Sequence, residues 1–494
     1  MSVPVSNTPA NPTVPLFNTP AMSTDYEKYR HKGSDEADGA GPDYRSSTRV
    51  GDDSPTDGSG YQDHDVFGDE ANAAIRYKTL SWPMVALLMI AEIVSNGMLS
   101  LPAATAVVGI VPGVILIAFL GVFALYTSLI LIDFKLNHGE VHNMGDAGLI
   151  MGGPILREIL AAGTVIFAVF ATGSQLLAGQ ITLNVLSDGK LCLMWYTGIF
   201  AIPTLLLSFP RTLDQLSWLC IPSCICIMAA GVVGMAAAGV YPAPDRHIVI
   251  AQSASFYDAF VAITNPVFAY AGHFMFFILI SEMHSPKDAK KAAWVLQTFA
   301  TSFYIVFTIV MYIYLGPSVQ SPAFSSLPTK WAKATYGIAL PNFLIAGSLY
   351  SHTAAKLFFI RLFRRTRHLH QHTALGWGTW TILIILANGA AFVLAVGVPI
   401  FAYLVSIAAS LFASWYTYGI AGAFWLYDAY HGFDRGPLRG VYGFAAWKKS
   451  PIKTVANIAT FFAGAFICVA GTYVSIKLII DAYNSGTVGA PFAC

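Results

Sequence analysis

Charge is what this sequence has least of. Only 11% of its 494 residues are Asp, Glu, Lys or Arg, against 55% that are hydrophobic, where a soluble domain carries roughly a quarter charged residues. With a mean hydropathy of +0.58, that scarcity excludes an ordinary soluble protein and leaves a polytopic membrane protein. The few charges nearly cancel, at a net +1, so no bulk field points to nucleic acid or to a strongly acidic partner. Cysteine is scarce as well. The six, Cys192, Cys220, Cys224, Cys226, Cys468 and Cys494, share no spacing with a histidine cluster, and most lie inside apolar runs. They read as small core residues, suggesting neither a metal site nor a disulfide framework. No motif asks for a cofactor. No cleavable signal opens the chain, and the absence of an Asn-x-Ser/Thr acceptor is neutral.

What is there begins with a stretch dominated by Pro, Ser, Thr, Asp and Gly. Residues 1–75 are expected to be a disordered tail, with Lys28 and Lys32 as candidate targets for a ubiquitin ligase and its Ser/Thr residues for a kinase. Eleven apolar runs follow, near 81–108, 111–133, 157–186, 191–209, 213–240, 255–282, 292–316, 334–361, 377–397, 399–427 and 453–482. Each is about the roughly 20 residues that a helix needs to cross a bilayer. Loops after even-numbered runs hold 15 Lys and Arg, and loops after odd-numbered runs hold 4. Basic residues resist translocation, so the even loops and the N-terminus are expected in the cytoplasm. The short tail 483–494 then lies outside.

Two runs contain clusters that break helices. The first has Ser95-Asn96-Gly97 after Glu92; the sixth has Asn265-Pro266 and then Tyr270-Ala271-Gly272-His273. Each opens a block of five helices, about 81–240 and 255–427, with the eleventh run as an appendage. Five is odd, so the second block enters the membrane inverted, and paired interrupted segments in two inverted halves point to a transporter site. Unwound backbone is tolerated in a membrane only where protein buries it or it lines a polar cavity. Ser95 and Asn96 can bond the freed groups; Gly97 relaxes the backbone, or simply lets two helices pack closely. N–H groups at Gly97–Met98 suit a carboxylate, and carbonyls at Phe268, Ala269 and Tyr270 suit an ammonium. Together they fit an amino acid. Phe268, Tyr270 and Phe274, with Phe167 and Phe170, form a candidate pocket for its side chain, unless they are plain helix packing.

Ionisable residues at such depth are candidates for function. Glu92 lies about 15 Å past Trp82 at 1.5 Å per residue, where it serves either as a proton carrier or as a structural carboxylate. Lys356, near Arg361, is expected to snorkel to the interface; alternatively its ammonium replaces a sodium ion. Glu282 reads as a gate or loop anchor, and completes a candidate proton-coupling set with Glu92 and Lys356. His273 and Gly272 close the second break, His273 as a hydrogen-bonder to substrate, a proton carrier or a structural histidine. The His368, His370 and His372 cluster, which a metalloenzyme would want, reads better as part of a basic loop. A membrane enzyme is therefore disfavoured, while a sensor that binds amino acids without transport stays open.

Phe268-Ala269-Tyr270-Ala271-Gly272-His273 with Glu282-Met283 and Pro286 resembles the sixth-helix signature of the amino acid/auxin permease family. Gly97-Met98-Leu99-Ser100-Leu101-Pro102 resembles its first-helix motif. The similarity runs from about 75 to 482 and is nearest to the neutral amino acid permeases of filamentous fungi, the methyltryptophan-resistance type. The resemblance implies an all-α, inverted-repeat fold of the leucine-transporter kind with one extra helix, and proton-coupled import of neutral aliphatic and aromatic amino acids. Sodium-coupled relatives place an asparagine about where this chain has Ala91 and a threonine about where it has Thr353, so the missing asparagine favours protons. Sodium coupling and vacuolar export are the alternatives; a plasma-membrane location is the expectation.

Overall fold

A computed structural model of the chain describes Phe67, Glu70 and residues 73–364, 366–433, 438 and 440–486. Lys28, Lys32 and the rest of the Ser/Thr-rich tail, like the end of the C-terminal tail, lie outside the described residues. The first expected span is two helices, α1 (Trp82–Ile93) and α2 (Asn96–Val108), bent by 49° across Val94–Ser95. Pro83 in the first turn of α1 costs it no hydrogen bond, since that N–H would be free anyway. Gly109, at φ 95°, ends α2 in a conformation that favours glycine and turns the chain into α3 (Ile110–Asn137).

The third span, α4 (Met144–Leu186), starts earlier than expected. Asn143 caps it by accepting from the Asp146 N–H, and the helix bends at Gly152–Gly153 rather than beginning after them. α5 (Leu193–Leu207) has 15 residues, or about 22 Å at 1.5 Å per residue, short of a full crossing. Then come α6 (Leu213–Val240), α7 (Phe256–Ala269) and α8 (Phe276–Ser281). α9 (Ala289–Leu315) and α10 (Thr329–Phe363) follow. α11 (Ala374–Gly397) precedes α12 (Phe401–Ala408), which continues as a π-helix over Ala409–Gly419 into α13 (Ile420–His431). The last is α14 (Pro451–Asn484).

Among the described residues, nine spans are long and apolar enough to cross a membrane, and α1 with α2 makes a tenth. α5 stands at the position of the remaining expected crossing. Packing follows the two blocks: α2 lies on α7, α3 on α9, α4 on α10 and α5 on α11. In each case an element of the first block meets its counterpart in the second, the arrangement that inverted repeats produce about an axis in the membrane plane. Exposed side chains are apolar where lipid would lie, as with Ile115 on α3, Ile202 on α5, Leu386 on α11 and Val469 on α14. The sixth and eighth spans are almost wholly buried. The eleventh, outside the two blocks, packs its small and polar face, Asn457, Gly464, Gly471 and Ser475, on the π-helix and its neighbours. Cys192, expected as a free core thiol, is disulfide-bonded, whereas Cys220, Cys224, Cys226 and Cys468 are free.

Candidate functional site

The two breaks meet at the centre of the bundle. A Cβ added to Gly97 would stand 2.7 Å from the Ala269 Cα, and one added to Gly272 would stand 2.8 Å from Ile93 Cγ2. Gly97 therefore falls in the first turn of α2, where it permits close packing, and the break itself lies one step earlier. Val94 (φ −81°, ψ 64°) and Ser95 (φ −139°, ψ −111°) carry the non-helical backbone. In the sixth span the break falls at Tyr270–Gly272, followed by one 3-10 turn over His273–Met275.

Breaking a buried helix strands carbonyls, and each must find a donor. The last three of α1 do. Asn342 Nδ2 on α10 donates to Ala91 O at 3.0 Å, and Tyr350 Oη on α10 donates to Glu92 O at 3.1 Å. Tyr304 Oη on α9 reaches Ile93 O at 2.7 Å and Ala269 O at 2.8 Å. With one proton to donate, that hydroxyl is shared between a carbonyl of each break. None of the three donors stands out in the sequence beyond being a polar residue at mid-span depth, which is itself a signal.

Contrary to the expectation from sequence, the Ser95 and Asn96 side chains do not bond the freed backbone groups of their own break. Ser95 Oγ donates to Gln175 Oε1 at 3.2 Å and Asn96 Nδ2 to Ser174 Oγ at 3.1 Å, both on α4. In the second break, Tyr270 and His273 turn toward α3. Tyr270 Oη donates to Ile117 O at 3.1 Å, and His273 Nε2 lies 2.8 Å from both Ala124 O and Ser128 Oγ. A carbonyl only accepts, so Nε2 carries hydrogen and donates to it. Both residues fasten the break to the neighbouring helix. Met98 is buried at the start of α2, and Phe268 at the end of α7.

Of the expected aromatic pocket, Phe167 and Phe274 come together, with ring centroids 4.7 Å apart. Tyr350 stacks on Phe274 at 6.0 Å, and the π-helix adds Phe412 and Tyr416, at 5.6 and 6.2 Å from Phe167. Phe170 joins through Phe412 at 5.5 Å. Tyr270 points away from this group and packs on Tyr304 instead, at 5.3 Å.

Two carboxylates are sealed in the same spans. Glu92 is 2% exposed, and its Oε1 finds no hydrogen-bond partner among the described residues. Glu282, fully buried at the end of α8, is paired with Lys356 of α10. Lys356 does not snorkel, because its ammonium is taken by Glu282 and lies 5.0 Å over the Tyr77 ring. The segment before α1 closes over this pair. Leu80 N donates to Glu282 O, and Leu80 O accepts from His284 N, each at 2.9 Å. Tyr77 Oη donates to Leu369 O at 3.2 Å, and Glu70 accepts from the Tyr77 and Lys78 N–H groups. Phe67 stacks on Tyr77 at 4.7 Å, so part of the expected tail is seated in the fold. The three loop histidines diverge: His368 Nδ1 meets Thr373 Oγ1, His370 Nδ1 meets Ile75 O, and His372 Nδ1 accepts from Trp377 Nε1.

A helical bundle crossed by two broken spans, with backbone polar groups gathered where the breaks touch, defines a membrane transporter of the inverted-repeat class. Among solved structures, a Na+-coupled sialic acid symporter shares this fold at 10% identity, covering 82% of this chain and 92% of its own, with a TM-score of 0.51. The chain belongs to the family of transmembrane amino acid transporter proteins, whose sequence profile matches residues 78–477. It is 29% identical to a transmembrane transporter of Gibberella moniliformis, over 88% of this chain and 91% of that one. It is also 29% identical to the N amino acid transport system protein of Neurospora crassa, over 88% of this chain and 92% of that one.

Proposed function

We propose that this transporter imports neutral aliphatic and aromatic amino acids together with protons, by alternating access around the point where the two breaks touch. The observation that carries this reading is the Tyr304 hydroxyl, held 2.7 Å from Ile93 O and 2.8 Å from Ala269 O, which makes one polar centre of two broken helices. The amino-acid carboxylate would take the free N–H groups and positive dipole end of α2, at Asn96, Gly97 and Met98. Its ammonium would take carbonyls at the end of α7, Phe268 to Tyr270, and its side chain the aromatic group of Phe167, Phe274 and Phe412. Gly272 and His273 hold the second break in place.

Support for protons over sodium comes from Glu92: sealed beside Gly272, with its Oε1 unpartnered among the described residues, it offers a carboxyl that can carry a proton between the two sides. Lys356 and Glu282 would act at the mouth on the basic side, opening as a pair when the substrate is released. The basic loops and the N-terminus are assigned to the cytoplasm and the C-terminus to the outside, in the plasma membrane.

The test is uptake of a panel of labelled amino acids into proteoliposomes across a pH series, with and without sodium, for the natural protein and Glu92→Gln. Uptake driven by inward acid, indifferent to sodium and lost in the variant, is the expected result. Uptake that follows sodium, or that keeps its pH dependence in Glu92→Gln, overturns the coupling. A preference for charged amino acids overturns the substrate class.

A further inference from the structure

The π-helix of the tenth span has two working faces. Ser410, Ser414 and Gly419 recur at spacings of four and five residues, close to the i to i+5 closure of a π-helix, and so share a face. Phe412 and Tyr416 are offset from them by about half a turn. The first face lies on α14. A Cβ at Gly464 would stand 2.6 Å from the Gly419 Cα and 2.7 Å from Ser414 O. A Cβ at Gly471 would collide with Ser410 Oγ, and Gly422 is closed against the Asn457 carbonyl. A chain of hydroxyls fixes the register: Thr264 Oγ1 to Ser406 Oγ at 2.7 Å and Ser406 Oγ to Ser475 Oγ at 2.8 Å, joining the sixth, tenth and eleventh spans. The second face lies on α4, where Tyr416 Oη donates to Leu160 O at 2.8 Å and Phe412 stacks on Phe167 at 5.6 Å.

We infer that the eleventh span selects the substrate's side chain without touching it: the glycines at 464 and 471 set how far the π-helix stands from α4, and so the width of the chamber bounded by Phe167, Phe274 and Phe412. The inference rests on the proposed placement of the side chain in that chamber. Gly464 and Gly471 are positioning residues. A side chain there forces the π-helix and α14 apart, and a π-helix that yields toward Phe167 narrows the chamber. A seam of small residues lets two membrane helices approach closely; here what approaches is the back of a pocket wall, and π-helical segments occur often at functional sites.

The experiment measures KM and maximal uptake rate for alanine, valine, leucine, phenylalanine and tryptophan, normalised to protein in the vesicle, for Gly464→Ala, Gly471→Ala and Phe412→Leu. In the glycine variants the KM ratio of tryptophan to alanine is expected to rise roughly tenfold, the size of effect that one methylene has in an apolar pocket, with the alanine rate little changed. The double variant Ser410→Gly/Gly471→Ala removes the colliding hydroxyl and is expected to restore the ratio, which keeps the test open if Gly464→Ala does not reach the membrane. A uniform change in KM for all five substrates, or a failure of the double variant to restore selectivity, overturns the inference. Phe412→Leu separates the two readings. If it shifts the ratio and the glycine variants do not, the chamber stands and the role of the eleventh span falls; if it shifts nothing, the chamber itself is wrong.

Discussion

The midplane break and the basic-side mouth each bury a carboxylate, and they treat it in opposite ways. Glu282 is matched by a buried ammonium, Lys356, with Tyr77 over that ammonium and the backbone of Leu80 tied to Glu282. Glu92 has no ion-pair partner among the described residues; its Oε1 is unpartnered and faces Gly272 of the opposite break. A buried charge without a counter-ion is costly unless it is neutralised. In the proposed mechanism the mouth meets that requirement with a second charge and the midplane with a proton, which suits the mouth to gating and the midplane to coupling.

The sharpest way to break this comparison is to remove one partner at the mouth. Lys356→Met leaves Glu282 sealed and unpaired, and such a change costs about 3–5 kcal/mol. Thermal unfolding in detergent should show a large loss, and little protein should reach the membrane. Lys356→Met/Glu282→Leu removes both charges and should regain most of that stability, because an apolar pair of similar volume often does as well as a buried ion pair. If the double variant is no more stable than the single one, the pair is not the unit described here. A smaller effect is expected at the midplane from Tyr304→Phe, which leaves Ile93 O and Ala269 O short of a donor at roughly 1–3 kcal/mol. Its substrate KM should move more than its melting temperature. An unchanged KM would detach Tyr304 from the site.

How much of this was legible beforehand follows from where the information sits along the chain. Both breaks could be read locally, because Ser95-Asn96-Gly97 and Tyr270-Ala271-Gly272 are poor helix formers inside apolar runs. The odd number of helices in each block implied the inverted-repeat architecture. What was not legible is who answers whom across space. Lys356 and Glu282 lie 74 residues apart, so proximity to Arg361 misleadingly suggested snorkelling. Tyr304, Tyr350 and Asn342 give no sign of which carbonyl they cap, since that depends on how α9 and α10 lie against α1. The π-helix leaves no trace in the pattern Ala409–Gly419, which reads equally well as an α-helix. The packing face of α14 was not legible because its buried stripe is one of glycine and small polar residues, the reverse of what burial looks like in a soluble protein.

A pH test sharpens the comparison further at the mouth. His142, in the loop before α4, is fully buried with neither ring nitrogen partnered among the described residues, and the Phe67 ring stands edge-on to it at 5.5 Å. Burial, with Lys356, Lys135 and Arg364 nearby, holds its imidazole well below the ordinary histidine range. The folded state thus prefers neutral His142, and its contribution is complete above the unfolded value of about 6.5. As pH falls below that value the unfolded chain takes up a proton that the folded chain refuses, and stability drops by up to about 1.4 kcal/mol per pH unit. His142→Phe should lose less stability than the natural protein between pH 6.5 and 5. Equal losses would place the acid sensitivity elsewhere.

The smallest effect is expected where the same chemistry as Lys356–Glu282 is left in water. Lys333 Nζ lies 2.7 Å from the Asp188 carboxylate, with side chains 31% and 60% exposed, and its hydrogen bond holds the Asp188 carboxyl below the usual aspartate range. A folded-state value that is lowered means a contribution present above the unfolded value and lost as pH falls through the folded one. Water and salt screen it at every pH. Lys333→Ala should therefore leave the melting temperature unchanged within error at physiological ionic strength, with any difference confined to low salt. The contrast between Lys356→Met and Lys333→Ala would then measure what burial within the protein adds to such a pair. A Lys333→Ala variant as damaged as Lys356→Met would mean that loop docking, not burial, makes such pairs matter in this protein.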